Sequence, residues 1–174
     1  MLFRSANVYE ILKGWSASVS YDFKWNKLNS DLRNFVFPRR YSHYVSVATA
    51  YDGKVVKVQG SLLGTFVKDN ATNQAGRSAV SMVTPAAFVS VYPFSSPAFA
   101  LRAFAKKSFR MPTFNELYYT EVGNASLKPE TAIQYNLGFV LSTDSGPSWL
   151  GSLSLQADGY YNTVHDKVVA YPKG

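Results

Sequence analysis

Residues 109–142 read FRMPTFNELYYTEVGNASLKPETAIQYNLGFVLS, and how this stretch is read decides the fold. It opens at a proline, passes through a polar and aromatic loop, and ends where Tyr135, Leu137, Phe139 and Leu141 alternate with Gln134, Asn136 and Gly138. Pro112 fixes φ and brings no N–H to a ladder, so a strand is expected to stop there and the chain to leave its sheet. Gly123 and Asn124 suit a turn at positive φ, and Pro129 drives Lys128 into an extended conformation that leads into the next strand. Glu116 and Glu130 are expected to tie the loop together through Lys128 or Arg110. A long loop feeding a cleanly alternating strand is the unit to seek elsewhere.

The alternation recurs. In residues 14–26 Trp15, Ala17, Val19, Tyr21, Phe23 and Trp25 share one face, and Ser16, Ser18, Ser20, Asp22, Lys24 and Asn26 share the other. Residues 152–162 repeat it, with weaker versions over 43–51, 54–67, 86–94, 98–107 and 3–11. Strands of soluble proteins span about 5–6 residues, whereas tilted membrane strands need about 9–11. Several runs here reach the longer figure. Their polar face is mostly Ser, Asn, Gln and Asp, which fits a wet lumen better than the Lys- and Glu-rich outer face of a soluble sandwich.

The connections keep a parity. Short links at Lys13-Gly14, Asp52-Gly53, Ser95–Pro97 and Asp144–Ser148 alternate with long ones at about 27–42, 69–84 and 108–130. Asp-Gly signals a two-residue hairpin turn. Short turns at one end and long loops at the other are how outer-membrane barrels are built.

Composition agrees. Of 174 residues, 47% are hydrophobic and 17% charged, which excludes a disordered tail. The 12 Tyr, 12 Phe and 3 Trp favour strands and membrane interfaces. The absence of cysteine rules out disulfides and thiolate metal sites. No window approaches the roughly 20 apolar residues of a membrane helix, and the N-terminus MLFRSANVYEILKGW lacks the pattern of a signal peptide. His43 and His165 lie far apart, and no Gly-rich phosphate loop, HExxH or GxSxG stretch occurs, so neither catalysis nor a metal or other cofactor is expected. The formal charge of +7 comes from basic residues at loops and strand ends. Among them Arg39 and Arg40, with Tyr41 and Tyr44, are candidate contacts for an anionic ligand or a phosphate-rich lipid, or else a solvated rim with interface aromatics. Nucleic acid is not an expected partner, because the aromatics alternate onto the apolar face.

The opening stretch resembles the barrel of TonB-dependent outer-membrane receptors. The family often carries an Arg-x-Pro-Thr-x-x-Glu-Leu-Tyr run, here Arg110, Pro112, Thr113, Glu116, Leu117 and Tyr118. It follows this with Gly-Asn-x-x-Leu-x-Pro-Glu, here Gly123, Asn124, Leu127, Pro129 and Glu130. The resemblance implies an all-β chain, an antiparallel transmembrane β-barrel meander supplying about eight strands of a larger barrel of about 22. It implies residues 1–174 as a partial barrel domain without the plug, in the bacterial outer membrane. The implied function is to bind and import a scarce ligand (a ferric siderophore, haem, cobalamin or a glycan), with energy relayed by the TonB complex through the missing plug. Outer-membrane lipid is the other implied partner. Read from residues alone, two alternatives stay open: a complete eight-stranded barrel serving as anchor or adhesin, which requires its first and last strands to pair, and a soluble all-β binding domain.

Overall fold

The computed structural model describes residues 1–30, 37–71, 79–94, 98–118, 123–143 and 152–169. Eight strands follow one another: β1 (Leu2–Leu12), β2 (Trp15–Lys27), β3 (Arg39–Asp52), β4 (Val56–Asn70), β5 (Val80–Val91), β6 (Phe99–Arg110), β7 (Glu130–Thr143) and β8 (Leu153–His165). A short helix, α1 (Phe114–Tyr118), stands between β6 and β7. The strands form a single antiparallel meander in the order β1 to β8, each paired with its chain neighbours. They run to between 11 and 15 residues, the length that crosses a bilayer at a tilt. Among the described residues β1 and β8 remain the two edges of the sheet. The pairing that a complete eight-stranded barrel needs is therefore not made.

Register fixes which residues share a face, because side chains alternate and directly paired residues point the same way. Ser20, Ser46, Leu63 and Thr84 lie in one such row, and Val19, Val47, Leu62 and Pro85 in the adjacent row on the opposite face. The second face, called outer below, is apolar and exposed, with Val47, Leu62, Phe66, Val83 and Leu137 each at least half accessible. An apolar face left bare in this way marks a surface for a membrane or for a partner. The inner face holds nearly all the buried side chains, among them Ser42, Thr65, Val67, Asp69, Thr84 and Ser90. Every strand acid falls there too: Glu10, Asp22, Asp52, Asp69, Glu130 and Asp158. The inner face also carries Phe88, Phe104 and Tyr160, aromatics not expected on the polar side.

Two turns differ from their sequence reading. Gly14 adopts φ +79°, as the Lys13-Gly14 turn requires, but neither Asp52 nor Gly53 has positive φ. Asp52 stays in the ladder opposite Lys57, 2.8 Å from its Nζ, and Gly53 N–H donates to the Val56 carbonyl at 3.0 Å. Extending the ladder to this ion pair moves the turn onto residues 53–55. Gly123 and Asn124 are likewise without positive φ. The Asn124 side chain accepts from Ser126 N–H at 2.9 Å and closes the turn as an Asx-turn instead. The links at Ser95–Pro97 and Asp144–Ser148 fall outside the described residues.

Candidate functional site: a loop latched across the inner face

At the long-loop end the sheet forks. β6 stays paired with β7 as far as Arg110 opposite Glu130, yet its pairing with β5 stops at Ala86 opposite Lys106. Pro85, next in β5, brings no N–H to continue that ladder. From the freed end of β6 the chain turns inward over the sheet. Reaching β3 across β4 and β5 requires about 14 Å at the usual strand spacing, which the four residues from Arg110 to Phe114 just span at about 3.4 Å each.

Its anchor is Arg40. This guanidinium donates through Nε and Nη2 to the two carboxylate oxygens of Asp69, both at 2.7 Å, from the position directly opposite in the ladder. The Asp69 side chain is fully buried and that of Arg40 is 11% exposed. Arg40 Nη1 donates to the Pro112 carbonyl at 2.8 Å, and its guanidinium carbon lies 4.9 Å from the centre of the Phe114 ring. One cation therefore satisfies a buried carboxylate, an orphan loop carbonyl and an aromatic face. Pro112 is buried, and Leu117 keeps 2% of its surface.

The loop is also braced from within. Thr113 and Glu116 form a capping box: Glu116 N–H donates to Thr113 Oγ1 at 3.3 Å, and Thr113 N–H donates to Glu116 Oε2 at 2.7 Å. Arg110 donates to the Glu116 carboxylate at 3.2 Å and to Glu130 Oε2 at 3.4 Å, so of the two cations considered for that role Arg110 fills it. The hydrogen bond from Thr113 N–H leads the influences that hold the Glu116 carboxyl below its ordinary pKa, with the Thr113 hydroxyl and Arg110 adding to it. Asn124 N–H donates to the Glu116 carbonyl at 2.8 Å, returning the chain towards β7. The structure thus brings Arg110, Pro112, Thr113, Glu116, Leu117, Asn124 and Glu130 into one scaffold. Tyr118 adds a ring contact to Phe114, 6.2 Å between centroids.

The other candidates divide. Arg40 and Tyr44 point inward, whereas Arg39 and Tyr41 point outward beside the apolar rows. Arg40 belongs to the latch. Sequence reasoning missed both its partner Asp69 and the helix: Asp69 sits 29 positions away, and only register puts the two side by side. On the inner face, in the half of β6 away from the long loop, Arg102 keeps its Nε buried with no hydrogen-bond partner among the described residues.

Comparisons with known proteins agree with this architecture. Residues 7–174 match the family described as "TonB dependent receptor-like, beta-barrel". The chain belongs to the TonB-dependent receptor family and forms part of its barrel domain. Members of this family are transporters of the outer membrane rather than enzymes. Over 66 residues the chain is 33% identical to the vitamin B12 transporter BtuB of Vibrio vulnificus (strain YJ016), covering 38% of this chain and 10% of that protein. Among solved structures it resembles the hemophore receptor HasR of Serratia marcescens, determined with its hemophore HasA and heme, at a TM-score of 0.64 and 16% identity. That match covers 92% of this chain and 32% of HasR. The copper transporter OprC matches at a TM-score of 0.50 and 18% identity, covering 86% of this chain and 27% of that one. The chain spans at most about a third of these relatives. At such identities the structural likenesses speak for the fold.

Proposed function

We propose that this chain is wall from the barrel of an outer-membrane receptor that binds a scarce ligand (a ferric siderophore, haem, cobalamin or a glycan) and imports it with energy relayed by TonB. Residues 1–174 form a partial barrel domain, and the plug that meets TonB is separate from it. The two-faced meander carries this reading. Its outer rows are apolar and bare, while its inner rows hold all the strand acids with Arg102 and Lys106. Such an inner face suits a water-filled lumen that passes a polar, often anionic chelate, and the family membership is consistent with it. The ligands named for the relatives, vitamin B12 and heme, support the same class. The chain performs no chemistry of its own in this account: the residues around α1 position a loop rather than a reaction.

The test is genetic. Deleting the gene in a strain otherwise able to use haem, cobalamin, ferric siderophores or glycans should abolish growth on one of these as the only source. Restoring the gene should rescue that growth only when TonB is present. Unimpaired growth on every member of the panel, together with no binding of any of them by the purified receptor, refutes the proposal.

A further inference from the structure

Two features of the inner face exceed what a plainly wet wall needs, and they fall in adjacent rows of the same three strands. Phe104 of β6 pairs with Asn136 of β7, which pairs with Tyr160 of β8, so two aromatics flank an amide on the polar side. One row nearer the short turns, about 7 Å away at strand rise, Arg102, Gly138 and Asp158 lie side by side. Arg102 is half-buried, and its Nε is a buried donor with no acceptor. Among the described residues it joins no ion pair, although Asp158 shares its row. Gly138 stands between them. Asp158 folds its carboxylate over that glycine, where a Cβ would run into it, and Gln156 Nε2 donates to its Oδ2 at 2.6 Å. A guanidinium and a carboxylate thus face each other from strands about 10 Å apart, across a gap that only a glycine leaves open. A charge that the wall itself does not compensate calls for a partner from the lumen.

We propose that Arg102, Asp158, Asn136 and Phe104 form a saccharide-binding subsite on the lumen wall, taking a neutral pyranose of a glycan. The inference rests on the import reading and narrows its ligand class. Adjacent ring hydroxyls both donate and accept, so one sugar can accept from Arg102 and donate to Asp158 across Gly138. Asn136, one row up, offers an amide donor and a carbonyl acceptor to the next hydroxyls. The apolar C–H face of such a ring packs on an aromatic face, and Phe104, although on an interior strand, keeps 37% of its surface exposed. Phe88, opposite it in register, extends the platform. An anionic chelate would meet Asp158 as a like charge, and a flat apolar ligand would leave both charges without partners. A sugar uses the aromatic face, the amide and both charges together.

The test titrates the complete receptor in phosphatidylcholine vesicles with oligosaccharides of glucose, galactose, xylose and N-acetylglucosamine. At least one should bind saturably, and Asp158→Ala and Arg102→Gln should each weaken it about 10- to 100-fold, the loss expected for one charge-assisted hydrogen bond. Should the alanine variant fail to insert, Asp158→Asn keeps the shape over Gly138 and should weaken binding in the same direction. Phe104→Leu should weaken it about three- to tenfold through the lost ring face. Glu10→Gln, which changes the charge of the same face on β1, should leave it unaltered. Binding of haem, cobalamin or a ferric siderophore but of no oligosaccharide overturns the saccharide subsite and leaves the import reading standing. Binding of none of these ligands defeats both. Oligosaccharide affinity unchanged in the Arg102 and Asp158 variants overturns the subsite, and a lowered unfolding temperature in the same variants would assign the pair to a protein segment packed on the wall instead.

Discussion

Replacing Asp69 with Asn tests the latch at its most demanding point. The carboxylate is wholly buried and meets the Arg40 guanidinium through two bonds of 2.7 Å. Asparagine keeps the shape, but its amide nitrogen faces a guanidinium N–H, so a donor meets a donor and the cation loses its counter-charge. Coulomb attraction at about 4 Å is worth about 4 kcal/mol at an effective dielectric of 20. Removing one partner of a buried pair typically costs about 3–5 kcal/mol. We expect Asp69→Asn to destabilise the refolded receptor by about that amount in equilibrium denaturant unfolding. Arg40→Gln should cost a similar amount, and the double variant much less than the two together. Phe114→Leu serves as the calibrator, because it removes only the cation–π contact and the ring contact to Tyr118, each worth about 1 kcal/mol. Hydrogen exchange supplies a local readout: the N–H of Leu117, bonded to the Thr113 carbonyl at 3.1 Å, should lose protection in Asp69→Asn as Pro112 is released. A cost below about 1 kcal/mol with additive single variants would show that Arg40 and Asp69 are each solvated in solution, and the latch argument would fail.

Further outcomes follow from the same geometry. Thr113→Ala removes the hydroxyl end of the capping box and should cost about 1 kcal/mol, read as faster exchange within α1 while the strands are unchanged. Glu116 has a folded pKa below its ordinary 4.5, so its contribution is fully present above about pH 4.5 and is lost as pH falls through the lowered value. Proteolytic nicking near α1 should therefore increase on acidification, and Glu116→Gln should flatten that pH dependence. Gly14→Ala places a side chain at φ +79° with its Cβ 2.9 Å from the Asp52 carbonyl oxygen, and should cost about 1–2 kcal/mol of thermal stability. Gly138→Ala drives a Cβ into the Asp158 carboxylate and to 2.8 Å from the Ala157 carbonyl oxygen, so exchange protection should fall across the β7–β8 ladder.

Much of the fold was legible because a period of two survives in any strand that separates lipid from water. Residues 14–26 and 134–141 display it without interruption; β2 is found there shifted by one residue, and β7 runs beyond both expected ends. Where polar and apolar residues mix, boundaries moved: β3 begins at Arg39 rather than near 43, and β5 at Val80 rather than near 86. In both, cross-strand pairing at the rim outweighs local composition, as Arg39 opposite Asn70 and Val80 opposite Val67 show. The loop was legible in its punctuation, since Pro112 does end β6 within two residues. Its destination was not. Expected only to leave its sheet, the segment packs back over the inner face, because Arg40 pairs with Asp69 and catches the Pro112 carbonyl, contacts 29 and 72 positions apart. A register shift of one residue would have sent Arg40 outward, and no local pattern around residue 40 reveals which way it points.

The central claim is that the odd-numbered rows of β3 and the rows paired with them face lipid while their neighbours face a lumen. With no native cysteine in the chain, single cysteines carrying a spin label report each position cleanly. Labels at positions 47, 62 and 137 of the receptor in vesicles should be relaxed by oxygen dissolved in the bilayer, and labels at 46, 61 and 136 by a water-soluble nickel chelate. Equal access of the chelate to both sets, or the reverse pattern, would contradict the barrel-wall account.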